Sequence, residues 1–281
     1  MKRKFKFDPK RFLLSVVVVF VIVAILFPII WMLPAAFKTK KEIWALPNTF
    51  FPKDPTLDNF EKIFTLDHNG YNFLSSVFYT FLVATLSVIG SLTVNMMAAY
   101  AFARLEFRGK SFLWCYFIVT MFIPGITILL TSIKVVNLLH MTDTLAVLIL
   151  PGLVAGYNIF FFRQFYYGIP QSIEEAAVLD GSSRFGVFLK IFLPMSVTPM
   201  VIIGVSTFMG YWNSFMWPTL TIVNNSEIAQ VMQVIRVLNS SYAGEYGIVI
   251  AATIIAISVP LIIFAVFQKK IVEGIAISGL K

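Results

Sequence analysis

Long apolar runs dominate this sequence and restrict what it can fold into. The 281-residue chain is 58% hydrophobic and only 13% charged, whereas soluble domains carry about 25% charged residues. Crossing the roughly 30 Å hydrocarbon core of a bilayer takes about 20 apolar helical residues, and several runs reach that length. Because lipid offers no hydrogen-bond partners to the backbone, these runs predict membrane-spanning α-helices.

Six runs are long enough, and we predict that each crosses the membrane once. They cover residues 12–37, 73–103, 111–133, 143–163, 187–217 and 246–268. The first run is longer than the roughly 7–15-residue apolar part of a signal peptide, and no clear cleavage motif follows it, so we expect it to remain as an anchor. Prolines within the runs predict kinked or broken helices. They are Pro28, Pro34, Pro124, Pro151, Pro194 and Pro199.

Lysine and arginine residues in the connecting segments indicate the orientation. Most of the 22 fall on the side of the N-terminus if the chain crosses six times, and such residues concentrate in cytoplasmic loops. Both termini are therefore predicted to be cytoplasmic, as is the segment between the fourth and fifth runs. Segments 38–72 and 218–245 are then external, and the second is long enough to reach a partner. Because the basic residues flank apolar runs, the net charge of +8 does not indicate nucleic-acid binding.

The apolar runs lack the ionisable groups of a self-powered transporter or an enzyme. No Asp, Glu, Arg or His lies inside them away from the ends, and Lys190 in the fifth run is the nearest exception. Ion-coupled transporters and pumps usually carry such groups within the membrane. His68 and His140 lie in separate polar loops, and Cys115 has no basic partner nearby. We therefore predict neither a metal site nor an activated nucleophile.

Uncharged polar and aromatic residues do occur within the runs. The candidates for a solute pathway are Asn95, Asn158, Tyr211, Trp212 and Asn213. Amides can donate and accept hydrogen bonds and aromatic rings cover apolar faces, so these residue types suit a neutral, hydroxyl-rich solute such as a sugar. The alternative is structural, because Asn often bonds between membrane helices and Trp and Tyr often mark the membrane interface.

The stretch EEAAVLDG, residues 174–181, interrupts the apolar pattern on the predicted cytoplasmic side. Ser172 and Glu175 have the spacing of a capping box, and Gly181 can take the left-handed conformation that ends a helix. These signals predict a short helix over residues 173–181. A helix of this length is marginal alone and persists only through packing.

One face of this helix has residues at helical spacing that allow close packing. It carries Ile173, Ala176, Ala177 and Asp180. Glu174 and Glu175 complement the positive end of the helix dipole, and either could pair with an arginine of a partner protein. A purely structural role, with a glutamate cap and alanines as helix formers, explains the pattern equally well.

The same stretch resembles the EAA motif of type I ATP-binding cassette (ABC) importer permeases. That motif reads E-A-A, three residues, G, nine residues, I, one residue and L-P, and every spacing agrees between Glu175 and Pro194. Other stretches are similar to the carbohydrate-uptake branch of the family, among them AAYAFARLEFRGK, YWNSFMWP and FQKKIVEGIAISGLK. The resemblance extends over essentially the whole chain.

The resemblance implies an all-α, polytopic type I ABC importer permease fold with six transmembrane helices and both termini in the cytoplasm. It implies a heterodimer with a second permease subunit, two cytoplasmic ATPase subunits that bind ATP and Mg, an external solute-binding protein, and no cofactor on this chain. The EAA helix would couple the chain to the ATPase through Glu174, Glu175, Ala176, Ala177, Asp180 and Gly181. Segment 218–245 corresponds to the loop that contacts the binding protein.

The expected organisation follows from these assignments. It is a cytoplasmic tail (1–11), a first transmembrane helix (12–37), an external loop (38–72), a five-helix permease core (73–268) and a cytoplasmic tail (269–281). The resemblance implies a transport subunit without enzymatic activity, which imports a sugar or oligosaccharide across the bacterial cytoplasmic membrane. A permease for another solute such as glycerol phosphate is the alternative, although a phosphate ligand favours a buried Arg or Lys, which the runs lack. The coupling motif counts against a passive channel.

Overall fold

The part of the chain that the structure describes is mostly α-helical, as predicted. A computed structural model describes residues 9–65, 67–68, 70–242 and 244–278. Most of the predicted N-terminal tail, the side chain of His68 and the last residues of the predicted C-terminal tail lie outside the described part. Two-residue strands β1 (Asp67–His68) and β2 (Tyr71–Asn72) form one short antiparallel pair.

The helices have the following bounds in chain order. They are α1 (Pro9–Ala35), α2 (Lys40–Ile43), α3 (Asp58–Thr65), α4 (Phe73–Arg104), α5 (Lys110–Thr120), α6 (Gly125–Leu138), α7 (Leu145–Ile149), α8 (Gly156–Tyr167), α9 (Gln171–Leu179), α10 (Arg184–Val187), α11 (Leu193–Met195), α12 (Val197–Trp212), α13 (Met216–Thr221), α14 (Val231–Ser241) and α15 (Tyr246–Ser278). Leu150–Gly152 and Ser226–Ile228 are single 3-10 turns, and Phe188–Phe192 is a π-helical turn between α10 and α11.

Three helices, α1, α4 and α15, are each long and apolar enough to cross a membrane. Three further candidates are broken: α5 and α6 meet at 104°, the segment from α7 to Gly152 meets α8 at 44°, and the segment from α10 to α11 meets α12 at 77°. Within the described residues, the predicted number of six spans is reached if each bent pair counts as one span.

The third, fourth and fifth runs are not continuous helices, as their prolines predicted, and the bounds of the third and fifth differ from the prediction. The third breaks before Pro124, which precedes α6, and α6 continues to Leu138. Lys134, just past the predicted third span, therefore lies inside a helix, where it is exposed. The fifth breaks at Ser196 and ends at Trp212. Proline lacks the amide hydrogen that a helix needs, which explains these breaks. Helix α1, in contrast, runs without a break through both Pro28 and Pro34.

Residues 67–234 and 256 onward form one compact unit, whose core lies between α4, α8 and the π-helical turn. Aromatic rings dominate the contacts. Tyr100 lies 4.9 Å from Phe192 between ring centroids, and Tyr166 lies 5.2 Å from the same ring. The buried residues of this core are Met96, Ala99, Tyr100, Ala103, Ile159, Phe162, Tyr166, Ile169, Val187, Phe188, Phe192 and Ile203.

The described residues of 9–65 and 235–255 form a second compact unit. Its folded centre surrounds Lys38, which is fully buried and donates from Nζ to Asn48 Oδ1 at 2.7 Å and to the Thr49 carbonyl. Asn59 Nδ2 donates to the carbonyls of Ala36 and Lys38. Glu245 pairs with two lysines of this unit, at 3.5 Å and 3.4 Å. The predicted external segment 38–72 is therefore ordered by polar contacts.

Helix α1 carries an apolar surface that the chain itself does not cover. None of its most hydrophobic 18-residue window is buried, and Ala35 at its end is the buried residue of the helix. A surface of this kind is stable only against lipid or another protein.

The apolar-periodic part of segment 218–245 is helix α14, which packs on its own chain. Val231, Val234 and Leu238 are buried on one face of it, at the spacing of an amphipathic helix. Val231 donates its backbone amide to Thr80 Oγ1 at 2.8 Å. Helix α14 is thus anchored on its own chain. The residues before it have exposed side chains, such as that of Val223, which a partner could contact.

Asp143 anchors the beginning of that exposed stretch. Its Oδ1 accepts hydrogen bonds from the amides of Val223 at 2.6 Å and Asn224 at 2.9 Å, and from that of Asn225 at 3.3 Å. Burial tends to raise the pKa of Asp143, but the hydrogen bonds from Asn224, Val223 and Asn225 together outweigh it, and the pKa lies below its usual value. The ionised carboxylate therefore stabilises the turn.

Replacing Asp143 with alanine is expected to speed hydrogen exchange at the backbone amides of residues 223–225 by about two- to tenfold, because a hydrogen bond contributes roughly 0.5–1.5 kcal/mol net. Mass spectrometry of the protein in lipid nanodiscs measures this. Since the folded-state pKa is lowered, the contribution is complete above the unfolded pKa of about 4 and is lost as the pH falls through the folded pKa. Asp54→Ala, at an exposed carboxylate, is the control. Equal exchange in both variants would contradict the anchoring role.

Candidate coupling helix and transport cavity

Helix α9 contains the EEAA stretch and begins earlier than predicted. It runs from Gln171 to Leu179, with Pro170 preceding it at φ −57°. Ser172 lies within its first turn, so the predicted capping box is wrong. Gln171 Nε2 instead donates to Glu175 Oε1 at 3.0 Å. Pro170 is the N-cap residue, and a proline is tolerated at a helix start because the amide hydrogen it lacks would have no partner within the helix.

The end of α9 is the predicted left-handed glycine. Gly181 has φ +84°, its amide donates to Val178 O at 3.0 Å, and the Ser182 amide donates to Ala177 O at 2.9 Å. These two bonds are the Schellman pattern, which satisfies the last carbonyls of a helix. The chain therefore reverses sharply between α9 and α10.

Most of the predicted contact face of α9 is open to solvent. Ile173, Ala176 and Asp180 are exposed, as is Glu175, while Ala177 is half-buried against the core. Leu179, which the prediction left out, is 87% exposed. The structure thus brings the predicted residues together on an accessible short helix with apolar side chains, a surface that a partner protein could cover.

Glu174 does not lie on this accessible surface. It is 5% exposed, and its Oε1 accepts a hydrogen bond from Arg184 Nη1 at 2.7 Å, while its Oε2 lies 3.8 Å from Arg104 Nε. The sequence left open a pairing with an arginine of a partner; here the pairing is with two arginines of the same chain. Both had been interpreted only as indicators of membrane orientation.

A cavity of about 530 Å³ opens between α4, α6, α8 and α12. This volume is in the range of small-molecule sites, about 300–1,000 Å³. None of its lining side chains is charged, and seven of them carry a hydroxyl or an amide: Ser91, Ser132, Asn158, Ser206, Thr207, Tyr211 and Ser214. The cavity can therefore exchange hydrogen bonds with a neutral polar solute.

Two of the predicted pathway residues, Asn158 and Tyr211, line this cavity. Asn158 Nδ2 donates to Ser91 Oγ at 3.3 Å. Tyr211 Oη is buried. It lies against Gly152, where a Cβ atom would come within 2.1 Å of the hydroxyl. A larger residue at position 152 would therefore force the Tyr211 hydroxyl to move, a constraint that the sequence alone did not reveal.

The other three predicted pathway residues do not line the cavity. Asn95 is fully buried and braces α4 against Leu153 and Ala155 through hydrogen bonds of 2.8 Å and 2.9 Å. Trp212 is buried and donates Nε1 to Ala256 O at 3.1 Å. Asn213 is exposed and donates to Met209 O. For these residues the structure favours the structural alternative that the sequence left open.

The serines and threonines of the cavity were missed by the sequence analysis. Small hydroxyl residues are common between membrane helices, so nothing distinguished these from ordinary packing residues. As for metal ions, the described residues contain no group of three or more His, Cys, Asp and Glu side chains able to hold one.

Comparison with known proteins identifies the family. Residues 95–274 match the profile described as binding-protein-dependent transport system inner membrane component. The arabinooligosaccharides transport system permease protein AraQ of Halalkalibacterium halodurans is 28% identical over 272 residues, 96% of each chain. The sulfoquinovosyl glycerol transport system permease protein SmoH of Agrobacterium fabrum is 29% identical, covering 91% of this chain and 89% of the relative. The sn-glycerol-3-phosphate transport system permease protein UgpE of Escherichia coli is 30% identical, covering 90% and 92%.

A solved structure has the same fold. A chain of a bacterial ABC transporter involved in the import of the acidic polysaccharide alginate superimposes with a TM-score of 0.81, at 20% identity, covering 95% of this chain and 99% of that one. The family consists of non-enzymatic transport components. The chain belongs to the family of binding-protein-dependent transport system inner membrane components.

Proposed function

We propose that this chain is one of two permease subunits of an ABC importer for a neutral sugar or oligosaccharide. The solute class is inferred from the cavity of about 530 Å³, which is lined by hydroxyl and amide groups and by no charged side chain. Hydroxyl-rich solutes match such groups because each can donate and accept hydrogen bonds. One relative, AraQ, is named for arabinooligosaccharides, which are neutral sugars, and it supports the same class.

Glycerol phosphate is the second candidate, because UgpE is as similar to this chain as the sugar permeases are. Sequence identity therefore does not discriminate between the two solutes. A phosphate group is usually held by Arg or Lys, and neither lines the cavity. The neutral lining favours the sugar.

The proposed assembly places this chain in the bacterial cytoplasmic membrane beside a second permease subunit. Two ATPase subunits, which bind ATP and Mg, lie on the cytoplasmic side with both termini of this chain, and a solute-binding protein docks on the external side. Residues 73–268 form the permease core, between the first transmembrane helix and external loop on one side and the C-terminal tail on the other. Helix α9 is the coupling helix, and Glu175, Ala176, Ala177, Asp180 and Gly181 join it to the ATPase.

Solute uptake tests this proposal. In the native cell, deletion of the chain is expected to abolish uptake of a radiolabelled neutral oligosaccharide, with arabino-oligosaccharide and glycerol 3-phosphate compared side by side. Re-expression is expected to restore it. Co-purification of ATPase subunits with the tagged chain separates an importer from a channel.

Two outcomes would decide against it. Loss of glycerol 3-phosphate uptake alone would establish the second candidate. Purification of the chain from gently solubilised membranes without any ATPase would contradict the importer assembly itself.

A further inference from the structure

Helix α9 is attached to the rest of the chain mainly through one acidic side chain, that of Glu174. Of its nine residues, all of which the structure describes, Glu174 is the buried one, and only Ala177 adds a half-buried apolar contact. Short helices persist through packing, and this helix keeps most of its apolar residues exposed. The position of α9 on the chain therefore depends on the partners of Glu174.

The first partner, Arg104, connects Glu174 to three other elements. Arg104 is the last residue of α4, and its Nη2 donates to the carbonyls of Tyr166, at 2.5 Å, and Ile169, at the end of α8 and just beyond it. Its guanidinium lies 5.2 Å from the ring centroid of Phe192 in the π-helical turn. Its Nε is buried without a hydrogen bond, 3.8 Å from Glu174 Oε2.

The second partner, Arg184, begins helix α10. Its Nη1 donates to Glu174 Oε1 at 2.7 Å, and its backbone carbonyl accepts a hydrogen bond from Tyr100 Oη on α4 at 3.1 Å. A polar cavity of about 620 Å³ adjoins the two arginines and Glu174. The side chains therefore have room to change their distances when α9 moves.

We propose that Glu174 is a positioning residue that transmits motion of the coupling helix to α4 and α10, while the exposed face of α9 meets the ATPase. This inference rests on the proposed function of α9. One carboxylate oxygen of Glu174 faces Arg184 and the other faces Arg104. A displacement of α9 therefore pulls on the end of α4 through Arg104 and on the start of the fifth span through Arg184. The charge-assisted hydrogen bond from Arg184 and the charge attraction of the nearby Arg104 resist such displacement. The unbonded 3.8 Å approach of Arg104 Nε is the distance that can close in another transport state.

The test compares two adjacent glutamates in the complete transporter, reconstituted in nanodiscs or liposomes with its partner permease, ATPases and binding protein. Glu174→Gln keeps the side-chain shape but removes the charge. We expect it to lower solute transported per ATP hydrolysed at least about tenfold, the factor associated with losing a charge-assisted hydrogen bond, while ATPase subunits still co-purify. Glu175→Lys, on the exposed face, is expected to reduce ATPase co-purification instead.

Glu106→Gln is the matched control. Glu106 is an exposed carboxylate close to the same cavity, paired with Lys110 at 3.0 Å, and its variant is expected to retain the wild-type ratio of transport to ATP hydrolysis. A purely structural role of Glu174 would lower the amount of assembled complex without changing this ratio, so the ratio separates the two roles.

If Glu174→Gln fails to insert into the membrane, Arg184→Gln tests the same proposal. The Arg184 side chain is 61% exposed, so its loss disturbs packing little. We expect this variant to lower the ratio of transport to ATP hydrolysis. In the double variant with Glu174→Gln, the loss is expected to be smaller than the sum of the two single effects. An unchanged ratio in either inserted variant overturns the proposal, as does loss of ATPase co-purification in Glu174→Gln. If the proposed function itself is wrong, the wild-type complex will show no ATP-dependent uptake, which distinguishes the two failures.

Discussion

Replacing Gly181 with proline is expected to abolish solute uptake while the chain still inserts into the membrane. Gly181 has φ +84°, whereas the proline ring holds φ near −65°. Proline also removes the amide that donates to Val178 O. The reversal between α9 and α10 cannot form, so the coupling helix is no longer presented to the ATPase. Uptake in liposomes and substrate-stimulated ATP hydrolysis both measure the effect.

Gly181→Asn is the matched control for this change. A Cβ atom at residue 181 would meet nothing within 4 Å, so a side chain causes no steric conflict there and only the backbone conformation is tested. Asparagine visits the left-handed region more readily than other non-glycine residues. We expect Gly181→Asn to keep much of the uptake. Full uptake and stimulated ATPase activity with proline would show that the turn has no part in coupling.

Replacing Gly210 with tryptophan is expected to block transport by filling the cavity. Gly210 lines it, and a Cβ atom at this position has open space within 4 Å. The indole would occupy space among the hydroxyl groups and exclude a hydrated solute, since aromatic side chains bury about 150–250 Å² each. We expect uptake to fall to background, whereas the ATPase subunits remain bound because α9 is unchanged.

Gly210→Ala controls for the loss of glycine itself. Alanine favours a helix interior by roughly 1 kcal/mol over glycine and adds only a methyl group to the cavity. We expect normal insertion and near-normal uptake from this variant. If the tryptophan variant transported as well as the alanine variant, the solute would have to follow another route, and the proposed pathway would be wrong.

The two substitutions affect different steps and can therefore be told apart. Gly181→Pro removes the response to the ATPase, so both stimulated hydrolysis and uptake are lost. Gly210→Trp leaves the coupling helix intact and removes only passage of the solute. Loss of ATPase co-purification in both variants would indicate general misfolding.

Hydropathy and local backbone rules were enough to predict much of this molecule. The all-α membrane fold, the long helices α4 and α15, and the left-handed conformation of Gly181 all follow from interactions within a few residues of the chain. The same local rules misplaced the start of α9, because the capping pattern at Ser172 competes with Pro170 just before it. The prolines predicted a break in the third run, but its angle of 104° before α6 depends on how the two helices pack and could not be read from local rules.

Side-chain partners distant in sequence could not be predicted in this way. Asn95 and Asn158 are the same residue type in similar apolar runs, yet one braces the backbone near Leu153 and the other lines the cavity. Glu174 and Glu175 are adjacent, yet one is buried between two arginines and the other is exposed. A local pattern determines which face of a helix a residue occupies, but what that face meets depends on how helices distant in sequence pack together. The tertiary structure therefore decided which of these side chains stabilise the fold through buried contacts and which remain accessible to a solute or a partner protein.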